Sequence, residues 1–260
     1  MATTAEAAPR ARAVRAGSSR ASLAAFVLHS YDWSESSLVL DVFSRAQGRM
    51  VVLAKGAKRP YSQLRAVLLP LQRVQLMLTQ RRTDADGIHV LREAEWVRPG
   101  LVSRPGAVLT GLYLNELLMK LLPRGEPHVR LFDAYEHTLD ALLQGEEAAA
   151  ALRAFELFLL HELGVLPELH VVTTTREPLR AEGEYALDAQ SGLSIAGRGV
   201  PGAVWTVLHE ALAGDDLGRV RQVCALVPLE LKSQLRQVLS HHLGHQPLHT
   251  RQLLLDVQNA

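Results

Sequence analysis

The hydrophobic period of this chain changes at Pro99-Gly100, and that change limits what it can fold into. Before it, apolar residues come in short runs: Ala24–His29, Ser37–Phe43, Arg49–Lys55, Val74–Thr79 and Ile88–Leu91. Runs of this length, alternating or rich in β-branched and aromatic residues and bounded by turn residues, read as strands. Gly48 supplies a turn before the third run, and Asp84-Ala85-Asp86-Gly87 supplies hairpin chemistry before the fifth. Five strands between residues 22 and 98 close most economically as a partly open barrel of the OB type. An SH3-like barrel fits the same count, and the pattern leaves both open.

After Pro99-Gly100 apolar residues recur at helical spacing. Gly111–Leu122 forms one such stretch, stopped by Pro123. Val129, Phe132, Tyr135, Leu139, Leu142 and Leu143 mark a second helix ending at Gly145, and Ala149–Leu163 a third ending at Gly164. Glu184–Leu187 and Leu193–Ile195, joined across Ser191-Gly192, read as a small hairpin. Helix resumes at Val204, Trp205, Leu208 and Leu212, again from Leu229 to Leu243 between Pro228 and Gly244, and as a last short helix over residues 250–257. The expectation is therefore an α+β multidomain protein: a disordered basic arm at 1–20, an OB-fold nucleic-acid-binding domain at 21–98, and a mainly α-helical domain at 99–260 with a hairpin insertion at about 165–198.

Composition fits a globular protein, with 48% apolar and 21% charged residues. The single cysteine, Cys224, excludes an intramolecular disulfide and a multi-cysteine zinc site, and its apolar neighbours make it a small buried hydrophobe. No apolar run is long enough to span a bilayer. The arm, with Arg10, Arg12, Arg15 and Arg20 against Glu6, has no apolar signal core and reads as solvated chain.

The formal net charge of +1 hides a polarity. Residues 1–98 carry 15 Lys and Arg against 8 Asp and Glu, or +7; residues 99–260 carry 13 against 19, or −6. Such a split suits a protein whose first half meets a polyanion. The basic turn Lys55-Gly56-Ala57-Lys58-Arg59 sits at a strand end, where cations on a glycine-containing connection suit phosphate binding rather than catalysis. With Arg45, Arg49, Arg65 and Arg73 it makes a set that can track a sugar-phosphate backbone. Arg65 has a structural alternative, a pair with Asp41 or Glu35. Tyr31, Trp33 and Tyr61 are loop-placed rings that can stack bases, and Trp33 can instead cap the barrel end.

Motifs for turnover are missing. There is no phosphate-binding loop of the Gly-x-x-x-x-Gly-Lys-Ser/Thr kind, no dinucleotide fingerprint after a strand, no Gly-x-Ser-x-Gly elbow and no acidic cluster of nuclease type. His241, His242, His245 and His249 gather near the end, but Gly244 and Pro247 interrupt the helix there and no carboxylate or thiol completes a shell. They read as a partly cationic helix end, so no metal and no cofactor is expected.

The chain resembles the RecO family of bacterial recombination mediators. The likeness rests on Ala25-Phe26-Val27-Leu28-His29-Ser30, Trp33–Leu38, Leu53–Arg59, Ser62-Gln63-Leu64 and Leu68-Leu69-Pro70 in the first part. In the second it rests on Gly111–Leu118, Leu152–Leu160 and Glu162-Leu163-Gly164. The resemblance implies an N-terminal OB fold, a helical C-terminal domain and no enzymatic turnover. It implies binding of single- and double-stranded DNA, annealing of complementary strands, and capture of the acidic C-terminal tail of the single-stranded-DNA-binding protein. It also implies help, with RecR, in loading RecA during gap repair, in the bacterial cytoplasm at the nucleoid, with no membrane and no small-molecule substrate. Two departures stand out. Some relatives carry a four-cysteine zinc site in the helical domain, whereas residues 165–198 here hold no cysteine. Where the family often shows Lys-Ser-Arg near the C-terminus, this chain has His249-Thr250-Arg251, which implies a weaker or pH-dependent contact if that patch reads an acidic tail.

An acidic tail meeting an acidic domain needs a local basic pocket. Lys232 and Arg236, one turn apart on one expected helix, are the leading candidates, with Arg124, Arg130 and Arg251, beside an apolar groove for the tail's hydrophobic end. A rival reading keeps the barrel and the basic turn but makes the protein an RNA-binding or ribosome-associated factor, because backbone charge alone does not separate the two nucleic acids.

Overall fold

The structure is a computed structural model and describes residues 22–79, 87–98, 105–250 and 252–253. The expected arm, the turn residues Asp84–Asp86, Arg251 and the end of the proposed last helix lie outside the described residues.

Five strands close the barrel: β1 (Leu23–Asp32), β2 (Leu38–Ser44), β3 (Gly48–Ala54), β4 (Arg73–Leu78) and β5 (His89–Arg98). The order around it is β1-β2-β3-β5-β4, with β3 and β5 parallel and every other pair antiparallel. A short helix, α1 (Leu64–Val67), connects β3 to β4. This closure and crossover are those of an OB-like barrel, and they decide between the two barrels that the sequence pattern left open.

Side-chain alternation divides two cores. Along β1, Ala25 and Val27 enter the barrel with Leu40, Val42, Met50, Val52, Val74 and Leu76. Phe26 and Leu28, on the other face of the strand, join the core of the helical part. A strand covered on both faces reads as a continuous apolar run rather than an alternating one, which is why Ala24–Leu28 does.

The helical part comprises α2 (Pro105–Leu121), α3 (Val129–Gln144), α4 (Ala148–Glu162), α5 (Gly202–Ala213), α6 (Leu217–Cys224) and α7 (Pro228–His242). Between α4 and α5 lies a three-stranded sheet of β6 (Glu184–Asp188), β7 (Gly192–Ile195) and β8 (Val200–Pro201), in the order β7-β6-β8. The sequence anticipated its hairpin but not β8, α1 or α6. The sheet is integral to the core: Tyr185, Leu187, Leu193 and Val200 pack with Trp205, Leu231 and Leu235, and Gln234 of α7 accepts a hydrogen bond from Leu187 N–H at 2.6 Å. Helices stop where glycine adopts a left-handed backbone, at Gly145 (φ 86°) and Gly164 (φ 68°).

The barrel is seated on the helices by aromatic rings. Phe26 lies 5.3 Å from Phe132 and 5.0 Å from Tyr135, centroid to centroid, and Phe43 lies 5.4 Å from Phe132. The buried Asn115 side chain donates to the Leu28 carbonyl at 2.8 Å and accepts from the Tyr135 hydroxyl, so these two buried side chains are paired with each other and with the barrel.

Candidate nucleic-acid interface and partner groove

The basic turn follows β3 and is fastened to the loop between β1 and β2. Lys58 N–H donates to Ser36 O at 2.9 Å, Ala57 is fully buried, and Gly56 takes the left-handed conformation (φ 74°) that the reversal needs. Lys58 Nζ donates to Ser34 O and pairs with Asp32, both at 3.1 Å. That cation therefore spends its hydrogen bonds on joining the two loops. The junction brings Trp33, 67% exposed, and Tyr61, 98% exposed, to the end of the barrel that carries Lys55 and Arg59. Trp33 therefore does not cap the barrel end. Lys55, Arg59 and Arg65 are all exposed.

The other three cations of the sequence set face the helices. Arg49 binds Asp41 through two hydrogen bonds of 2.8 Å and donates to the carbonyls of Met119 and Leu122. Arg45 makes a two-pronged pair with Asp133, both bonds 2.8 Å, and Arg73 pairs with Glu136. The bond from Arg45 comes first among the causes that hold the Asp133 carboxyl below its usual range. The structure thus separates the set into an exposed group at the turn and α1 and a group that ties the barrel to the helical part. Asp41 goes to Arg49 and Arg124, not to Arg65.

Lys232 and Arg236 lie exposed on α7, on the rim of a groove of about 440 Å³. Leu152, Leu239, Leu243 and Leu248 supply apolar walls, and Tyr113, Arg153 and Glu156 line it as well. The same two cations border a broader depression on the other side, with Asp188 and Leu229. Tyr113 Oη and Arg153 Nη2 both donate to Glu156 Oε1 at 2.6 Å. Burial raises the Glu156 carboxyl above its ordinary value, although Arg153 and the Tyr113 hydroxyl oppose it. Burial likewise pushes Tyr113 up, and it lifts the buried Cys224 thiol to about 12, which leaves that thiol inert.

One wall of the groove is the chain at Gln246–Leu248, and Glu116 holds it. The Glu116 carboxylate accepts from His249 N–H and Thr250 N–H at 2.9 Å each and from Thr250 Oγ1 at 2.7 Å. Lys120 pairs with Glu116 at 3.2 Å and donates to Pro247 O at 2.8 Å. Burial acts to raise the Glu116 pKa, but the bonds from Thr250, His249 and Lys120 outweigh it and the net shift is downward. Nothing in the sequence marks Glu116 for this, because its partners lie 133 and 134 residues away.

Arg124 and Arg130 do not meet at this groove. Arg130 pairs with Glu162 at 2.8 Å and with Asp215 at 3.1 Å. Arg124 stands 3.5 Å from Asp41 at the barrel seam, and Arg251 lies outside the described residues. The histidines at the end of α7 sit edge to face, His241 being 5.3 Å from His242 and 6.3 Å from His245. Among the described residues no group of three or more His, Cys, Asp or Glu is placed to hold a metal ion. No described helix is long and apolar enough to cross a membrane.

Two family models match in tandem: Recombination protein O N terminal over residues 19–99, and Recombination protein O C terminal over residues 103–252. The chain belongs to the RecO family. Its curated relatives include the DNA repair protein RecO of Verminephrobacter eiseniae, 48% identical over 242 residues that cover 90% of this chain and 95% of the relative. Those of Polaromonas naphthalenivorans and Albidiferax ferrireducens are 45% and 43% identical, with the same coverage. Membership places the chain among DNA repair and recombination proteins. The names of the RecO models and relatives state no enzymatic activity.

Proposed function

We propose that this RecO chain is a recombination mediator that binds single- and double-stranded DNA and anneals complementary strands without covalent chemistry. The observation that carries the reading is the end of the barrel where Lys55, Arg59 and Arg65 are exposed beside Trp33 and Tyr61. Cations there neutralise phosphates and release counterions, and exposed rings take the unstacked bases of a single strand. Annealing follows from charge: a cationic surface holding two strands screens their repulsion and leaves base edges free to pair. Arg45, Arg49 and Arg73 have a different part in this reading, keeping barrel and helices in one register.

The groove beneath Lys232 and Arg236 supports a second contact, with the acidic C-terminal tail of the single-stranded-DNA-binding protein. Apolar walls suit the hydrophobic end of such a tail, and the two rim cations suit its carboxylates. Arg153, held on Glu156 through one nitrogen, adds guanidinium donors at the lining. With RecR as partner, the protein would then act in the cytoplasm where coated single strands await RecA.

An annealing assay separates a mediator from a passive binder. Complementary strands coated with single-stranded-DNA-binding protein are expected to anneal with this chain present. They are expected to lose that acceleration when the coating protein lacks its acidic tail, while bare strands still anneal. Acceleration that ignores the tail would remove the groove from the account. An RNA competitor of equal length that displaces DNA strongly would favour the RNA-binding alternative.

A further inference from the structure

A cleft of about 470 Å³ lies where the barrel meets the connection between α2 and α3. Its walls include Tyr31 of β1, Val39 and Asp41 of β2, Arg49 of β3, His89 of β5, and Arg124 from that connection. The helical part therefore contributes a cation to a cleft built mostly by the barrel.

The backbone fixes this arrangement. Gly125 N–H donates to Arg49 O at 2.8 Å, and Arg49 and Arg124 form a short parallel bridge, so the connection runs as an added edge beside β3. Gly48 permits the approach: it has a left-handed backbone (φ 69°), and a Cβ there would stand 1.8 Å from Glu126 O.

Charge and shape then indicate what the cleft accepts. Asp41, only 2% exposed, already receives the Arg49 guanidinium through two hydrogen bonds. Arg124 stands 3.5 Å from the same carboxylate with 61% of its side chain exposed. Two guanidinium groups thus share one carboxylate, and the surplus positive charge lies on the more exposed of them. On another wall, Tyr31 is exposed and meets His29 edge to face at 4.5 Å. Tyr31 is also two residues from Trp33, so β1 leads from the basic end of the barrel into the cleft.

We propose that this cleft seats one nucleotide of a DNA single strand, with its phosphate on the Arg124 guanidinium and its base against the Tyr31 ring. The volume lies within the range of small-ligand clefts, and a cation facing an aromatic ring matches the two chemical halves of a nucleotide. A base paired in a duplex has no free face to offer Tyr31, so the site selects single strands. The inference rests on the reading of the barrel as a single-strand binder and extends it: the helical part joins the strand's path, and Arg124, which the sequence assigned to the partner tail, serves the nucleic acid.

The test titrates a labelled thymidine oligonucleotide against wild type, Arg124→Ala, Arg124→Lys and Tyr31→Ala across a range of salt, with Lys55→Ala/Arg59→Ala as reference. Arg124→Ala is expected to weaken binding about tenfold at low salt and to reduce the salt slope by about 0.7. Arg124→Lys is expected to keep the slope. Tyr31→Ala is expected to weaken binding about tenfold with the slope unchanged. Binding of an acidic tail peptide is expected to be the same in Arg124→Ala as in wild type. If Arg124→Ala keeps the wild-type slope while the reference variant loses affinity, the cleft proposal fails and the barrel reading stands. If the reference variant is also unaffected, both fail. Loss of peptide affinity with DNA binding intact would assign Arg124 to the partner instead and overturn the proposal.

Discussion

Asp41 receives the Arg49 guanidinium side-on, Nε to Oδ1 and Nη2 to Oδ2, each at 2.8 Å. The remaining nitrogen of Arg49 donates to the carbonyls of Met119 and Leu122, at the C-terminal end of α2. Unpaired carbonyls at a helix end carry partial negative charge, so a cation is favoured there. One side chain therefore joins two strands of the barrel to a helix of the other part.

Removing Arg49 leaves a buried carboxylate with only the more distant Arg124. Arg49→Ala is expected to cost about 3 kcal/mol of stability in denaturant unfolding. Asp41→Asn is expected to cost about 1–2 kcal/mol, because Arg49 keeps its carbonyl partners. Arg49→Ala as stable as wild type would show that this side chain does not tie the barrel to α2.

Gly48→Ala forces a left-handed residue and a Cβ onto the Glu126 carbonyl. An expected loss of about 2–4 kcal/mol combines both penalties. Thermal unfolding reads it; a variant as stable as wild type would show that the connection does not need its close approach to β3.

The groove wall held by Glu116 has a pH signature. Its pKa is lowered on folding, so its contribution is present above the unfolded carboxyl value and is lost as pH falls through the folded one. Glu116→Gln is expected to show weaker peptide binding at neutral pH, with its acid-side loss of affinity reduced relative to wild type. Peptide binding that is equal in the two proteins at every pH would mean that the wall needs no anchor.

Lys232→Ala/Arg236→Ala is expected to weaken the acidic peptide about tenfold or more with unchanged single-strand affinity, since both lie on α7 and line the groove. Calorimetric titration measures this; equal peptide affinity would remove both residues from the site.

Much of this fold was legible in the sequence because period and punctuation agreed. Val129 to Leu143 kept helical spacing up to Gly145, and α3 ends at Gln144. The strand β5 was read only as far as Leu91 but continues to Arg98. Arg92, Glu93 and Glu95 break its apolar pattern, and a register shift opposite Met77/Leu78 displaces its alternation. Helix α6 has eight residues, too few turns for a period to stand out. The site was legible only in part, for a different reason. Lys55 and Arg45 look alike in sequence, yet Arg45 meets Asp133 across 88 residues of chain. Composition can place a cation on the barrel, but only tertiary pairing decides whether it faces solvent or a helix. Glu116, Tyr113 and Arg153 were missed because apolar helical spacing conceals polar residues that pair inside a core.

The central claim is that exposed cations at the end of the barrel hold DNA electrostatically. Single-strand affinity measured against salt concentration for wild type and Lys55→Ala/Arg59→Ala tests it directly. The account predicts a steep linear dependence in wild type and a slope lower by about 1.4 in the variant, one step for each lost phosphate contact. Affinity independent of salt, or identical slopes in the two proteins, would contradict it.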